Sequence, residues 1–423
     1  MLFEILTTSL MGGIALKAFS KHRGLSSNDS GKIQRIMSLS GLNVRDGKDT
    51  LTTQLVKKKQ FEWGWEYKYR IPLGRSFADY EAKLKVFEDG LNNRRKNITF
   101  NDLRQLDFNK DLLLQLQELW KAKLTEQKEI ELSYDGLLIV RVYDKPLEKE
   151  IKWNESLLWP DTWSVPIGFT RNAEVIFHDF DKSKHLIIAG ATGYGKSAIL
   201  KLITTTLIDQ QPNNTELSLI DLKGGSAFHR YRSCKQVKYY SRNPDSAVDV
   251  LKKVQIDMQK SFEKVVDKGF EDVKEAGIRK RHFIIIDEAA DLAENRTAMD
   301  IITDIARRGR SAGYYLIFCT QYPTAQVVPS QTKRNIIARL CYAVDTDTAS
   351  RVVLDESGAD KLPDIPGRGI YKSNIKRYIV QSPFITNEVI QQRIKPHIVT
   401  KGERVEETTI IEKRTDTVTF EEV

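Results

Sequence analysis

Residues 189–197 read Ala-Gly-Ala-Thr-Gly-Tyr-Gly-Lys-Ser, and the rest of the chain is organised around this stretch. It matches the pattern G-x-x-x-x-G-K-[ST] at every position. An apolar run at 185–189 predicts a buried strand before it, and an apolar helix is predicted to continue to Ile208. Strand, glycine loop and helix are the context that a phosphate-binding loop requires, and a chance glycine-rich turn would lack it.

Each position of this loop has an expected role in binding ATP. Its glycines allow backbone N–H groups to surround phosphate oxygens, and the helix N-terminus adds partial positive charge. Lys196 is predicted to reach the β- and γ-phosphates, and the Ser197 hydroxyl to bind Mg²⁺. The candidate nucleotide-binding residues are Gly190, Ala191, Thr192, Gly193, Tyr194, Gly195, Lys196 and Ser197.

The length and composition are those of a globular protein with two or three domains. The chain has 423 residues, of which 40% are hydrophobic and 29% charged. Its net charge of +9 permits a polyanionic partner, but the lysines are spread along the chain and fit a solvated basic surface equally well. The three cysteines have neither paired nor metal-ligand spacing, so a reducing, cytoplasmic location is the simplest expectation.

The N-terminal 20 residues leave two interpretations open. Residues 5–16 carry no charge, but a helix of that length would be about 18 Å long, short of the ~30 Å hydrocarbon core of a bilayer. They are either a marginal membrane anchor, which would associate the protein with the membrane, or a helix buried against protein. Polar residues 21–54 are predicted to be a linker, and residues 401–423 a disordered tail.

Residues 55–150 are predicted to form a small α/β domain. A strand is predicted at 65–71, and a capping box at Ser76 and Asp79 begins an apolar helix face that continues to residue 91. A second helix is predicted over 112–123, followed by a hairpin that turns at Asp135 and Gly136. The aromatic residues at 63–69 suit a core or domain contact, or alternatively stacking on a partner.

Residues 165–395 are predicted to form an α/β ATPase domain of RecA-like P-loop type. Helical patterns, the longest at 245–268, separate most of its strand-like runs, which indicates a mainly parallel sheet. The runs lie at 185–189, 217–221, 283–287, 315–319 and 336–344.

Two of these runs end in residues suited to the chemistry of hydrolysis. Asp287 and Glu288 follow an apolar strand, where Asp287 is predicted to hold Mg²⁺ and Glu288 to polarise the attacking water. An exposed acidic turn is the alternative, but it does not explain why both carboxylates accompany a complete phosphate loop. Gln321 follows another strand at the edge where ligands bind, and is predicted to sense the γ-phosphate or position water.

Six stretches of the second domain, in order, resemble the motor of the FtsK/SpoIIIE family of DNA translocases. They are His185 to the loop, Ile220-Asp-Leu-Lys-Gly-Gly225, Ile286-Asp-Glu-Ala-Ala-Asp-Leu292, Arg308-Gly-Arg-Ser-Ala-Gly313, Thr320-Gln-Tyr-Pro323 and Leu354-Asp-Glu-Ser-Gly-Ala-Asp-Lys-Leu362. The resemblance implies ATP-driven movement of double-stranded DNA through a homohexameric ring. Tyr322 departs from the family pattern, which usually has arginine there.

The resemblance also assigns arginines and lysines. Arg339 matches the family's trans-acting arginine, which completes the neighbouring subunit's site, and Arg351 matches its pore arginine. A basic hairpin with Lys372, Lys376 and Arg377 is a looser candidate for contacting DNA phosphates.

The first domain contains the stretches Gly64-Trp-Glu-Tyr67 to Pro72-Leu-Gly74 and Tyr134-Asp-Gly136 to Val142-Tyr-Asp-Lys145. In these it resembles versions carried by mobile elements of Gram-positive bacteria, which implies transfer or partition of a plasmid, integrative element or phage. A relaxase or another mobile-element protein would then be a partner. A protein-secretion ATPase of type VII kind is one alternative, since such motors share the fold. A DNA-binding scaffold that uses nucleotide only as a switch is another, although Glu288 argues against it.

Overall fold

The computed structural model describes residues 29–92 and 128–399, together with the short strand Thr409–Ile410. The chain divides into two compact units, Met1–Leu147 and Glu148–Val423. The predicted N-terminal segment 1–20 and the helix predicted over 112–123 lie outside the described residues. Within the described ranges, no helix is both long enough and apolar enough to span a bilayer.

The first unit is a small α/β domain built on an antiparallel sheet. Its four-stranded sheet has the order β3-β4-β6-β5, and the helices cover it. The elements are α1 (Ser30–Leu39), β1 (Val44–Asp46), β2 (Asp49–Leu51), β3 (Gln54–Phe61), β4 (Gly64–Arg70), α2 (Phe77–Glu81), α3 (Leu84–Leu91), β5 (Glu129–Tyr134) and β6 (Leu138–Tyr143).

Several local predictions for this unit are confirmed. The Asp79 carboxylate accepts hydrogen bonds from the Ser76 N–H (2.7 Å) and hydroxyl (2.9 Å), which is the predicted capping box. The hairpin turns between β5 and β6 as expected. Tyr67 and Tyr69 are fully buried, which favours core packing over stacking on a partner for these two rings. The helix predicted up to residue 91 is divided into α2 and α3.

The prediction of a linker over residues 21–54 is wrong for its described part. Residues 30–39 form α1, and Ile33, Met37 and Leu42 are buried in the core of the first unit. The apolar residues of α1 recur at helical spacing and cover the sheet, although their polar neighbours give the segment the composition of a linker. The first unit therefore includes residues before position 55.

The second unit is a RecA-like α/β domain around an eleven-stranded sheet of order β19-β12-β11-β13-β14-β10-β15-β16-β17-β8-β9. Strands from β19 to β15 pair in parallel, and those from β16 to β9 are antiparallel. The strands are β7 (Ile151–Lys152), β8 (Ser164–Phe169), β9 (Val175–Asp179), β10 (Leu186–Ala189), β11 (Thr215–Asp221), β12 (Val237–Ser241), β13 (Arg281–Asp287), β14 (Tyr314–Thr320), β15 (Ala338–Tyr342), β16 (Arg368–Ser373), β17 (Lys376–Gln381), β18 (Pro383–Phe384) and β19 (Thr409–Ile410). The helices are α4 (Phe180–Ser183), α5 (Lys196–Gln210), α6 (Pro244–Val266), α7 (Arg296–Ala312), α8 (Ser330–Asn335), α9 (Asp347–Leu354) and α10 (Asn387–Ile394).

Helices cover both faces of this sheet. Neighbouring strand residues therefore enter different cores: Ile188 packs with α5 on one face, and Ile187 with α6 and α7 on the other. The five predicted strands and the helix predicted over 245–268 are all present, with bounds shifted by a few residues. Thr409–Ile410 pairs with β12, so the tail predicted to be disordered contributes a strand there.

All three cysteines are buried as free thiols in the second unit. Burial raises the pKa of Cys234 and of Cys341 to about 12, and raises the pKa of Cys319 well above its usual value. Cys319 therefore belongs to the core, as its apolar neighbours in sequence indicate.

Candidate functional site

The glycine loop connects β10 to α5 with a backbone that requires its glycines. Gly190, Gly193 and Gly195 have φ angles of 152°, 87° and 101°, which side chains disfavour. At Gly190 a Cβ would also lie 2.7 Å from the Tyr342 Cβ on the neighbouring strand β15. The first glycine is therefore needed for packing against the sheet as well as for the shape of the loop.

Lys196 and Ser197 lie in the first turn of α5, as predicted. Lys196 is only 4% exposed, and its Nζ donates a hydrogen bond to the Ala191 carbonyl, 2.7 Å away within the loop. Burial lowers the pKa of Lys196. The ammonium is thus held across the loop, where an anion entering the loop can compete for it with the carbonyl.

Asp287 ends β13 at the same sheet edge as the loop, because β10 and β13 both run parallel to β14. Its side chain is 1% exposed, and within the described part of the chain neither carboxylate oxygen has a hydrogen-bond donor. Burial raises the Asp287 pKa, and the nearby charges of Lys223 and Lys196 lower it in part. A buried carboxylate with two free oxygens suits a hard cation such as Mg²⁺.

Glu288 is held by two hydrogen-bond donors at the end of β14 and by an ammonium group that follows β11. The Thr320 hydroxyl donates to its Oε1 (3.0 Å), and the Gln321 N–H to Oε1 (3.0 Å) and Oε2 (3.2 Å). The Lys223 Nζ lies 3.4 Å from Oε2. Glu288 is 6% exposed, so the exposed acidic turn considered as an alternative is wrong.

Gln321 connects the glycine loop to Glu288. Its side-chain Oε1 accepts a hydrogen bond from the Thr192 hydroxyl (2.9 Å), while its N–H binds the Glu288 carboxylate. A displacement of Thr192 by phosphate would therefore be transmitted through Gln321 to Glu288. This arrangement suits the sensing role expected for Gln321.

Lys223 lies beside the Glu288 carboxylate, a contact that the sequence did not predict. It lies two residues beyond the end of β11, in one of the stretches that carry the family resemblance. A usable signal was present, because a lysine just after a core strand lies at the same edge as the carboxylates after β13. The sequence likewise does not predict that the Thr320 hydroxyl binds Glu288 or that the Thr192 hydroxyl binds Gln321, because both contacts depend on the strand order.

Arg339 lies on β15, and its guanidinium has partners within its own chain. It forms an ion pair with Asp355 and donates to the carbonyl oxygens of Val353 (3.2 Å) and Ile336 (3.3 Å). Only 11% of the side chain is exposed. These contacts suit a second role, in which Arg339 stabilises its own subunit. The trans role stays a prediction, and it requires the Asp355 ion pair to open.

The residues predicted to contact DNA differ in their solvent exposure and in their ion-pair partners. Arg351 is exposed on α9 and pairs with Asp347 one turn earlier (2.7 Å). Lys376 is exposed on the β16–β17 hairpin, and Arg377 is half-exposed 3.3 Å from Glu356.

Lys372 is the exception. Its Nζ donates to the Leu354 carbonyl (2.8 Å) and lies 3.6 Å from Glu356, with 20% of the side chain exposed. Its charge is thus used within the domain, and its contact with DNA stays a prediction that would require these contacts to open.

The sequence comparisons match part of the chain to DNA translocases. The FtsK/SpoIIIE family model matches residues 156–284. The DNA translocase FtsK of Oceanobacillus iheyensis is 29% identical over 287 residues, which cover 61% of this chain and 36% of the relative. The DNA translocase SpoIIIE of Bacillus subtilis is 29% identical over 277 residues, which cover 59% of this chain and 35% of the relative. The chain therefore spans about a third of the length of these curated relatives.

Two solved structures share the fold. The pCW3 conjugation coupling protein TcpA, in a monomer form with ATPgS, has a TM-score of 0.56 and 20% identity, covering 88% of this chain and 99% of that one. EssC (ATPases 2 and 3) of Geobacillus thermodenitrificans has a TM-score of 0.54 and 16% identity, and the match covers 59% of this chain and 51% of that one. At these identities the likeness extends to the α/β P-loop architecture alone.

Proposed function

We propose, on the premise that residues 156–284 are a segment of the FtsK/SpoIIIE family, that this chain is an ATP-driven translocase of double-stranded DNA. The observation that carries the proposal is the meeting of Lys196, Asp287 and Glu288 at one sheet edge. A phosphate loop alone would bind nucleotide, but a buried glutamate held beside it by two hydrogen-bond donors and an ammonium group supports hydrolysis.

The site suits Mg²⁺ as the partner of ATP. Ser197 and Asp287 are the residues that would hold the ion, because both Asp287 oxygens are buried without a hydrogen-bond donor in the described structure. The ion would neutralise charge on the phosphates during hydrolysis. Glu288 accepts the proton of the attacking water, and Lys196 leaves the Ala191 carbonyl to bind the phosphates.

The assembly and the biological role form the finer part of the proposal. We expect a homohexameric ring around the DNA, with Arg351, Lys376 and Arg377 facing its phosphates. The first domain suggests service to a mobile element, with a relaxase or another mobile-element protein as partner. The secretion ATPase and the nucleotide-switched scaffold remain the competing functions.

The deciding experiment is ATP turnover by the purified chain with double-stranded DNA, single-stranded DNA, a substrate protein, or no addition. Turnover that rises with double-stranded DNA, together with displacement of a triplex-forming strand, is the expected result. Lys196→Ala should lose nucleotide binding, since the loop loses its cation. Glu288→Gln should bind ATP but lose hydrolysis by about 10²-fold or more.

Three outcomes would contradict the proposal. Turnover that responds to a substrate protein instead of DNA would favour the secretion ATPase. ATP binding without turnover would favour the scaffold. Full activity in the Glu288→Gln variant would mean that another residue is the base.

A further inference from the structure

A second carboxylate lies beside Asp287 in the sheet. Asp221 ends β11 as Asp287 ends β13, and the two residues are register partners on adjacent parallel strands. Side chains at paired positions of neighbouring strands extend from the same face of a sheet. Both residues are essentially inaccessible, at 0% and 1% exposure.

Three of the four oxygens of this pair have no hydrogen-bond donor in the described structure. Asp221 Oδ2 accepts from the Ala227 N–H (2.7 Å) and the Phe228 N–H (2.9 Å), which fixes the orientation of its carboxylate. Asp221 Oδ1 and both oxygens of Asp287 are buried and lack donors. Buried polar atoms are almost always paired in proteins, so three together on neighbouring carboxylates indicate a ligand.

The nearby ammonium groups have other partners. The Lys196 Nζ binds the Ala191 carbonyl, and the Lys223 Nζ lies against Glu288. Among the described residues, neither Asp221 nor Asp287 forms an ion pair. Two adjacent buried carboxylates without a direct ion-pair partner are costly, and a divalent cation would neutralise both.

We propose that Asp221 is a second carboxylate of the magnesium site, which would hold the cation together with Asp287. The inference rests on the proposed function, since Asp287 is the residue expected to hold Mg²⁺. The alternative is a purely structural role for Asp221, in which its carboxylate only accepts hydrogen bonds from the loop at 227–228.

Asp221→Asn separates the two roles because the amide oxygen can still accept from the loop while the charge is removed. The measurement is Mn²⁺ affinity, by electron paramagnetic resonance, of the full chain with ATPγS and without DNA. Mn²⁺ binding should weaken about tenfold or more, whereas metal-free ATPγS binding should stay unchanged. The Tm in EDTA should not fall, since a repulsion between neighbouring carboxylates is removed.

Mn²⁺ affinity within twofold of the wild type would overturn the inference. So would a loss of metal-free ATPγS affinity as large as the loss of Mn²⁺ affinity. If Asp221→Asn does not fold, Asp221→Ser receives the same two measurements and the same criteria. A wild-type chain that binds no Mn²⁺ with ATPγS would instead overturn the proposed function as well.

Discussion

Glu288 has a left-handed backbone conformation, with φ at 75°, although it is not a glycine. Such a conformation costs about 1 kcal/mol or more and persists where surrounding contacts enforce it. Here the enforcing contacts are the hydrogen bonds from Thr320 and Gln321 and the ion pair with Lys223. The strain is thus located at the residue expected to activate water. The carboxylate of this residue is fixed by contacts with the end of the neighbouring strand β14.

Lys223 is expected to position Glu288 and not to contact the phosphates. Lys223→Met keeps most of the side-chain length but removes the charge beside Oε2. We expect kcat to fall about tenfold, because Glu288 loses one of its three positioning contacts. The KM for ATP should change little. Steady-state ATPase kinetics of both Lys223→Met and Lys223→Arg provide the check, with recovery expected in the arginine variant. A raised KM with normal kcat would instead place Lys223 in nucleotide binding.

At the scale of elements, the β16–β17 hairpin offers a matched pair of lysines. Lys376 is exposed near the turn, whereas Lys372 is held by the Leu354 carbonyl and Glu356. We expect Lys376→Ala to weaken DNA binding and to flatten the dependence of log affinity on log salt by about one unit. Lys372→Ala should instead lower the Tm with little change in that slope.

Binding titrations at several salt concentrations test this pair, with Arg351→Ala expected to behave like Lys376→Ala because both side chains are exposed. Phosphate contacts carry no base information, so the weakening should be the same for unrelated DNA sequences. Equal salt slopes for wild type and Lys376→Ala would place the DNA path on another surface.

The elements that sequence predicts well here are the buried parallel strands. In β13 the run Phe283-Ile-Ile-Ile286 is continuously apolar because both sheet faces are covered, and it ends at two carboxylates. Strand β12 carries Lys238, two tyrosines and a serine, so it gives no comparable pattern. Contacts such as Lys223 with Glu288 depend on the order of strands, which local pattern does not contain.

At the scale of the whole molecule, buried histidines make stability depend on pH. His178 and His185 are essentially inaccessible, and burial lowers the pKa of each to about 3. Both stay neutral in the folded protein, while the unfolded chain takes up protons below about pH 6.5. The free energy of unfolding should therefore fall as the pH drops from 6.5 towards 3, by about 3 kcal/mol at pH 5.5 for the two together.

Urea unfolding at pH 7.5 and pH 5.5 measures this change. His178→Phe leaves the Tyr371 hydroxyl without its partner at 2.9 Å and should lower stability at both pH values. It should nevertheless reduce the pH-dependent loss by the share that His178 contributes, since one titrating group is gone. An undiminished loss in the variant would assign the acid sensitivity to other groups.

The ring expected from family resemblance is tested through Arg339. If Arg339 acts across a subunit boundary, Arg339→Ala should nearly abolish ATPase activity while sparing ATP binding, since arginine fingers contribute ~10³–10⁵ in turnover. Mixing with Lys196→Ala subunits should then restore activity where an intact loop meets an intact arginine.

Asp355→Asn is the control for the ion pair that Arg339 makes in its own chain. If both variants lower the Tm alike and no mixing ratio restores turnover in rings that demonstrably form, Arg339 serves only to hold its own subunit.

The burial of all three thiols makes the chain suitable for site-specific fluorescent labelling. Cys234, Cys319 and Cys341 are inaccessible and stay protonated at neutral pH, so maleimide reagents should leave them unmodified in the native fold. Ile375, at the turn of the β16–β17 hairpin, is 96% exposed and would react readily as Ile375→Cys. A dye there would report the approach of DNA to this hairpin in an otherwise unaltered protein.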